Sequence, residues 1–126
     1  LGEIIQFFAK KIAFKGEQMK DEARQETRRR LQIFVKKTVR KFEVSDQTKS
    51  PWYLTIAVES QDQEIIIKLD NSPEESYYQA SLIGATLEDI ILGDYEVVFV
   101  FKKPNEKERN LKIKYDLLLI SPPNKD

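Results

Sequence analysis

The chain has 126 residues, 40% hydrophobic and 33% charged, with 21 Lys+Arg balanced by 21 Asp+Glu and with neither Cys nor His. That length suits one domain, and no run approaches the roughly 18 apolar residues of a membrane-spanning helix. The two missing residue types exclude disulfides, thiolate nucleophiles and Cys-ligated metals, and they remove the commonest general acid–base and metal-binding side chain.

Along the chain the first expected element is a helix over residues 1–15. Ile4, Ile5, Phe7, Phe8, Ile12 and Phe14 follow helical spacing beside Lys10, Lys11 and Lys15, and Gly16 interrupts them. Residues 17–42 contain neither Gly nor Pro. Leu31, Phe34, Val35, Thr38 and Phe42 recur at helical spacing, opposite Arg29, Arg30, Lys36, Lys37, Arg40 and Lys41. This predicts an amphipathic helix with a basic outer face. The rival reading is a strand over 30–44, because Ile33, Val35, Thr38, Val39 and Val44 are β-branched.

A polar loop follows at 45–51. Trp52, Leu54, Ile56 and Val58 alternate with Tyr53, Thr55, Ala57 and Glu59, and Ile65 to Ile67 form a second apolar run, so 52–69 reads as a β-hairpin. Ser72, Pro73 and Glu75 resemble a helix start, with Ser72 as the cap, for a helix carrying Tyr77, Tyr78 and Leu82 as far as Gly84. A strand over 77–83 is the alternative. Thr86 with Asp89, and a stop at Gly93, predict another short helix bearing Leu87, Ile90, Ile91 and Leu92. Residues 95–101 are apolar on both faces, and 111–120 alternate before becoming more apolar at their end, which gives a second hairpin.

These elements predict a single α+β domain over 1–126, with N-terminal helices packed on an antiparallel sheet of two β-hairpins. The arm 1–44 is basic and helical, 45–121 is a β-rich core, and 122–126 frays. If 30–44 is a strand, a β-sandwich replaces the α+β arrangement. A first residue of Leu rather than Met suggests a soluble piece excised from a longer or membrane-anchored chain, its compartment unknown.

The zero net charge conceals a partition. Residues 1–44 hold 12 basic and 6 acidic side chains, 45–101 hold 2 and 11, and 102–126 hold 7 and 4, so the segments carry +6, −9 and +3. Such asymmetry speaks to association rather than to fold. The densest basic run is Arg24, Arg28, Arg29, Arg30, Lys36, Lys37, Arg40 and Lys41, with Glu26 the one acid among them. On one helix these eight would make a stripe able to follow phosphates. A solvated helix face, or neutralisation by the acidic middle of the same chain, is the plainer reading, because the chain as a whole is not basic and aromatics do not interleave with the basic residues as a stacking platform requires.

Catalysis would have to rest on carboxylates, Lys, Tyr or a metal. Glu74/Glu75 and Glu88/Asp89 are the closest carboxylate pairs, and helix capping explains them without a reaction. Asp62, Glu64, Asp70, Glu74 and Glu75 lack the spacing of a Ca²⁺ loop, and the four glycines form no phosphate-binding motif. No catalytic residue, metal site or small-molecule cofactor is expected. Trp52, Tyr53, Tyr77 and Tyr78 make a candidate aromatic surface, although such residues are more often core with polar tips. The expectation is a non-catalytic interaction or regulatory domain, with a protein partner or self-association first. An anionic membrane surface contacting the N-terminal segment is an alternative, and nucleic acid bound through 24–41 is a third.

Overall fold

The computed structural model describes residues 7–10, 17–79 and 81–123. Its elements are β1 (Phe7–Lys10), α1 (Glu17–Leu31), a 3₁₀ turn (Gln32–Phe34), β2 (Lys37–Val44), β3 (Tyr53–Val58), β4 (Ile65–Leu69), α2 (Glu75–Gln79), β5 (Thr86–Leu92), β6 (Glu96–Lys102) and β7 (Arg109–Ile120). Strands β7, β4, β3, β2, β5 and β6 are neighbours in that order, and β6 returns to β7. Every pairing is antiparallel. The ring is closed, so the molecule is a six-stranded β-barrel.

This overturns the α+β expectation of helices laid on an open sheet. It also differs from the β-sandwich, because the strands form one continuous ladder rather than two stacked sheets. Closure depends on the length of β7. Residues Arg109 to Lys114 pair with β6, while Tyr115 to Ile120 pair with β4. The last four residues of β7 also carry β1 on their other side. Asp116 is an extra residue opposite the Lys68/Leu69 step, a bulge that bends the strand from one neighbour to the next.

Inward side chains follow the pleat. Leu54, Ile56 and Val58 of β3, Ile65, Ile67 and Leu69 of β4, and Val97, Phe99 and Phe101 of β6 are all buried. On β7 the inward set switches from Ile113 and Tyr115 to Leu118 and Ile120 across the bulge. Each such side chain contributes about 1.5–3 kcal/mol by leaving water. Both mouths of the barrel are stopped. Leu31 and Phe34 are buried where β2 begins, and Tyr77, Leu82 and Ala85 are buried near the other mouth.

Several sequence expectations fail locally. The predicted amphipathic helix over 17–42 ends at Leu31, and Lys36 adopts a positive φ of 69° before the chain extends into β2. Of the residues at helical spacing, Leu31 and Phe34 are buried and Phe42 packs against the core, but from a helix, a 3₁₀ turn and a strand in succession. Their helical spacing was a coincidence of three elements; of the β-branched residues behind the rival strand reading, Thr38, Val39 and Val44 lie in β2, whereas Ile33 lies in the 3₁₀ turn and Val35 just after it. The helix expected over 86–92 is β5. A bulge between Leu87 and Asp89 moves the inward position from Leu87 to Ile90, which imitates a helical i, i+3 repeat.

The helix capped by Ser72 starts later, at Glu75, and ends at Gln79; the Ser72 hydroxyl donates instead to the Gln47 carbonyl at 3.3 Å. Of the helix expected over 1–15, Phe7–Lys10 is a strand on β7, and residues 1–6 and 11–15 lie outside the described residues. The hairpins 52–69 and 95–120 are present as β3–β4 and β6–β7.

Candidate functional site

The eight basic residues do not lie on one helical face. Arg24, Arg28, Arg29 and Arg30 belong to α1, Lys36 to the turn after it, and Lys37, Arg40 and Lys41 to β2. Most of them engage groups of the same molecule. Arg24 pairs with Asp94, and the Arg28 guanidinium donates to the Leu92 carbonyl at 3.0 Å. Arg29 and Arg30 converge on Glu26 at 2.6 and 3.2 Å. The hydrogen bond from Arg29, aided by Arg30 and opposed by desolvation, holds the Glu26 carboxyl below its ordinary range.

Lys36 pairs with Glu88, whose hydrogen bond and charge raise the pKa of that ammonium. Arg40 donates to the carbonyls of Val58 and Gln61 at 2.9 and 3.1 Å. Lys41 reaches Glu64 at 3.3 Å, crossing β3 where Ala57 is small enough to let it pass. Lys37 is half-buried opposite Leu87. Three of the eight, Arg24, Lys36 and Lys41, are therefore turned on Asp94, Glu88 and Glu64 of the acidic middle segment. Exposed pairs of this kind contribute about 0–1 kcal/mol each, so they place the arm more than they stabilise it.

The aromatic candidates are gathered at the opposite mouth, around α2. Tyr77 and Tyr78 are consecutive and span that mouth. Tyr77 is buried, with its hydroxyl donating to the Lys112 carbonyl of β7 at 3.3 Å. Burial, with the Glu74 charge, pushes its phenol up to about 12. Tyr78 reaches the other way, its hydroxyl donating to the Ser45 carbonyl at the end of β2. Ser45 also accepts, through Oγ, the backbone N–H of Tyr53 at 2.8 Å. Trp52 is half-buried and donates its indole N–H to the Gln47 carbonyl at 3.0 Å. Gln47 in turn donates its side-chain amide to Pro73 O at 2.9 Å, which ties loop 45–52 to the segment before α2.

The result is a surface with two unlike sides. On the β2–β3 side Tyr53 and Tyr78 remain 39% and 42% exposed, and the charge of the exposed Asp46 acts on the Tyr78 phenol. Two hydrogen bonds from Thr48 keep the Asp46 carboxyl below its usual range, hence ionised. On the β7 side a cleft of about 170 Å³ runs between Asn71, Ser72 and Glu74 on one wall and Lys112 and Lys114 on the other, with Tyr77 beside it. Lys112 meets Glu96 at 3.8 Å.

Among the described residues no group of three or more acids is placed to hold a metal ion, and no helix is long and apolar enough to cross a membrane. Asp62, Glu64, Asp70, Glu74 and Glu75 are spread over the β3–β4 turn and the segment leading into α2. Sequence reasoning named all four aromatic residues but missed Ser45 and Gln47, the polar hubs that hold them together. Nothing in a Ser or Gln within a polar loop marks it as such. The outward lysines of β7 were legible, because Lys112 and Lys114 alternate with the buried Ile113 and Tyr115. No protein-family model matches the chain, and no curated protein or solved structure matches it.

Proposed function

We propose that the chain is a non-catalytic interaction domain that engages a protein partner through the α2 mouth of the barrel. The observation that carries this reading is the pair of exposed tyrosines, Tyr53 and Tyr78, brought together at Ser45, which accepts the Tyr53 backbone N–H and the Tyr78 hydroxyl. Exposed tyrosines lose little side-chain entropy on binding and bury much area, which is why they are prominent in protein interfaces. Two further facts support the same reading. The interior is filled by apolar side chains such as Leu54, Ile67, Phe99 and Ile113, so the polar chemistry available to a ligand is on the exterior. The arginines and lysines of the basic run mostly have partners within the molecule, which leaves the aromatic end as the better contact surface.

Site-specific photo-crosslinking tests this in cells that produce the protein. A benzophenone side chain at position 53 or 78 should yield a discrete protein adduct, and one at exposed Glu59, in the β3–β4 turn, should not. Adducts from position 59 alone, or none at 53 and 78, would overturn the proposal.

A further inference from the structure

The cleft beside Tyr77 carries opposite charges on its two walls. Glu74 stands on the α2 side, and Lys112 and Lys114 stand on the outward face of β7. Two hydrogen bonds join the walls, from the Tyr77 hydroxyl to the Lys112 carbonyl and from the Asp70 N–H to the Lys114 carbonyl, both at 3.3 Å. The buried Leu69 lines the space between them. The cleft is therefore formed before anything enters it, as small-molecule sites mostly are.

Elsewhere facing charges close on one another, as in Arg24–Asp94, Lys36–Glu88 and Lys41–Glu64. Here they do not. Among the described residues Glu74 and Lys114 make no ion pair, and Lys112 reaches only Glu96, on β6, at 3.8 Å. The Asn71 amide makes no hydrogen bond among them either, whereas the Ser72 and Tyr77 hydroxyls are engaged by the Gln47 and Lys112 carbonyls. A space of about 170 Å³ thus separates a carboxylate from two ammonium groups that do not bridge it.

A simple anion entering the cleft would meet Glu74, and a simple cation would meet the lysines. A neutral molecule would take water from both and return nothing. A zwitterion satisfies both walls through charge-assisted hydrogen bonds. Beyond Lys114 the cleft adjoins a second cavity of about 430 Å³, lined by Asp70, Asn71, Tyr95, Glu96 and Lys114, in which Tyr95 is 51% exposed. We propose that the cleft binds a free amino acid. Its carboxylate lies between Lys112, Lys114 and Asn71, its ammonium group lies against Glu74, and its side chain extends toward the Tyr95 ring.

NMR titration of the ¹⁵N-labelled chain tests this, with the Asn71 side-chain amide as a reporter inside the site. The probes are phenylalanine, phenylpropionate, which lacks the ammonium group, and phenethylamine, which lacks the carboxylate. Phenylalanine should give saturable shifts at residues 71–74 and 112–114 in the millimolar range, and each singly charged probe should bind several-fold more weakly. Glu74→Gln should lower the affinity for phenylalanine to that of phenylpropionate, and Lys112→Met with Lys114→Met should lower it to that of phenethylamine. These side chains are exposed, and the spectra themselves show whether each variant is folded. The comparison of the three probes on the parent chain stands without the variants.

No saturable shifts with phenylalanine, shifts confined to other residues, equal binding of the three probes, or folded variants that bind phenylalanine as the parent does would overturn the proposal. The result is independent of crosslinks from positions 53 and 78, which lie on the β2–β3 side of α2.

Discussion

Tyr115 illustrates how one residue ties stability to pH. It is buried on β7, and its hydroxyl donates to the Gly93 carbonyl at 2.6 Å, across to the β5–β6 turn. Burial pushes its phenol up to about 12, against the opposing pull of Arg24 and Arg28. The unfolded chain therefore loses this proton near pH 10, before the folded one does. Stability from Tyr115 is complete below pH 10 and disappears as pH rises toward 12, at a cost on the order of 2 kcal/mol. Urea melts at pH 8 and 11 should show that loss, and Tyr115→Phe should show less of it while costing about 1 kcal/mol at pH 8 for the missing hydrogen bond. Gly84 is a second such position. Its φ of +95° is disfavoured for other residues, although a Cβ there would meet nothing within 4 Å. Gly84→Ala should lower stability by about 1 kcal/mol in a thermal melt, through the backbone alone.

Elements were legible in the sequence where their alternation is unbroken. Leu54, Ile56 and Val58 announce β3, and Leu111, Ile113 and Tyr115 announce most of β7. β5 was not legible, because one extra residue at its bulge shifts the phase, and a short run of shifted alternation cannot be told from one turn of helix. The aromatic surface was half legible. Trp52 and Tyr53 stand out at a strand start, but their meeting with Tyr78 depends on Ser45, more than thirty residues before it in the chain. β5 also has an unusual edge. Among the described residues β2 pairs with it only at Thr86 and Leu87, and beyond them the Ile90 N–H is taken by the Asp89 carboxylate at 2.8 Å and the Leu92 carbonyl by Arg28. Charged side chains here do what a neighbouring strand would do, and they blunt an edge that could otherwise recruit another chain. Asp89→Ala with Arg28→Ala should therefore produce concentration-dependent self-association in sedimentation velocity, with Ile91, 54% exposed, at its centre.

At the scale of the whole molecule, closure makes stability collective. Leu118 is buried where β7 meets β1 and β4, opposite Ala9 and Ile67. Leu118→Ala should cost about 2–5 kcal/mol, and the loss should be shared by the entire barrel. Trp52 fluorescence, from the α2 mouth, and far-ultraviolet circular dichroism should fall together in urea, in the variant as in the parent. Two separate transitions would show that the ring can open in part. The charge partition belongs to this scale as well. The +6 arm and the −9 middle, distant in the chain, meet at Arg24–Asp94, Lys36–Glu88 and Lys41–Glu64, so much of the apparent dipole is spent at contacts between elements.

The double pairing of β7 also has a consequence for biosynthesis. A ribosome releases β2, β3 and β4 first, yet the strand that flanks β4 and closes on β6 is made last. Between Ile67 and Ile120 lie roughly 50 residues, and at about 5–20 residues per second their translation takes several seconds. Throughout that interval the apolar edge of Ile65, Ile66 and Ile67 has no cover from the strand it is meant to pair with. The nascent chain is then most exposed to premature association, and chaperone demand should track translation speed through the codons of β5 to β7 more closely than it tracks the stability of the finished barrel.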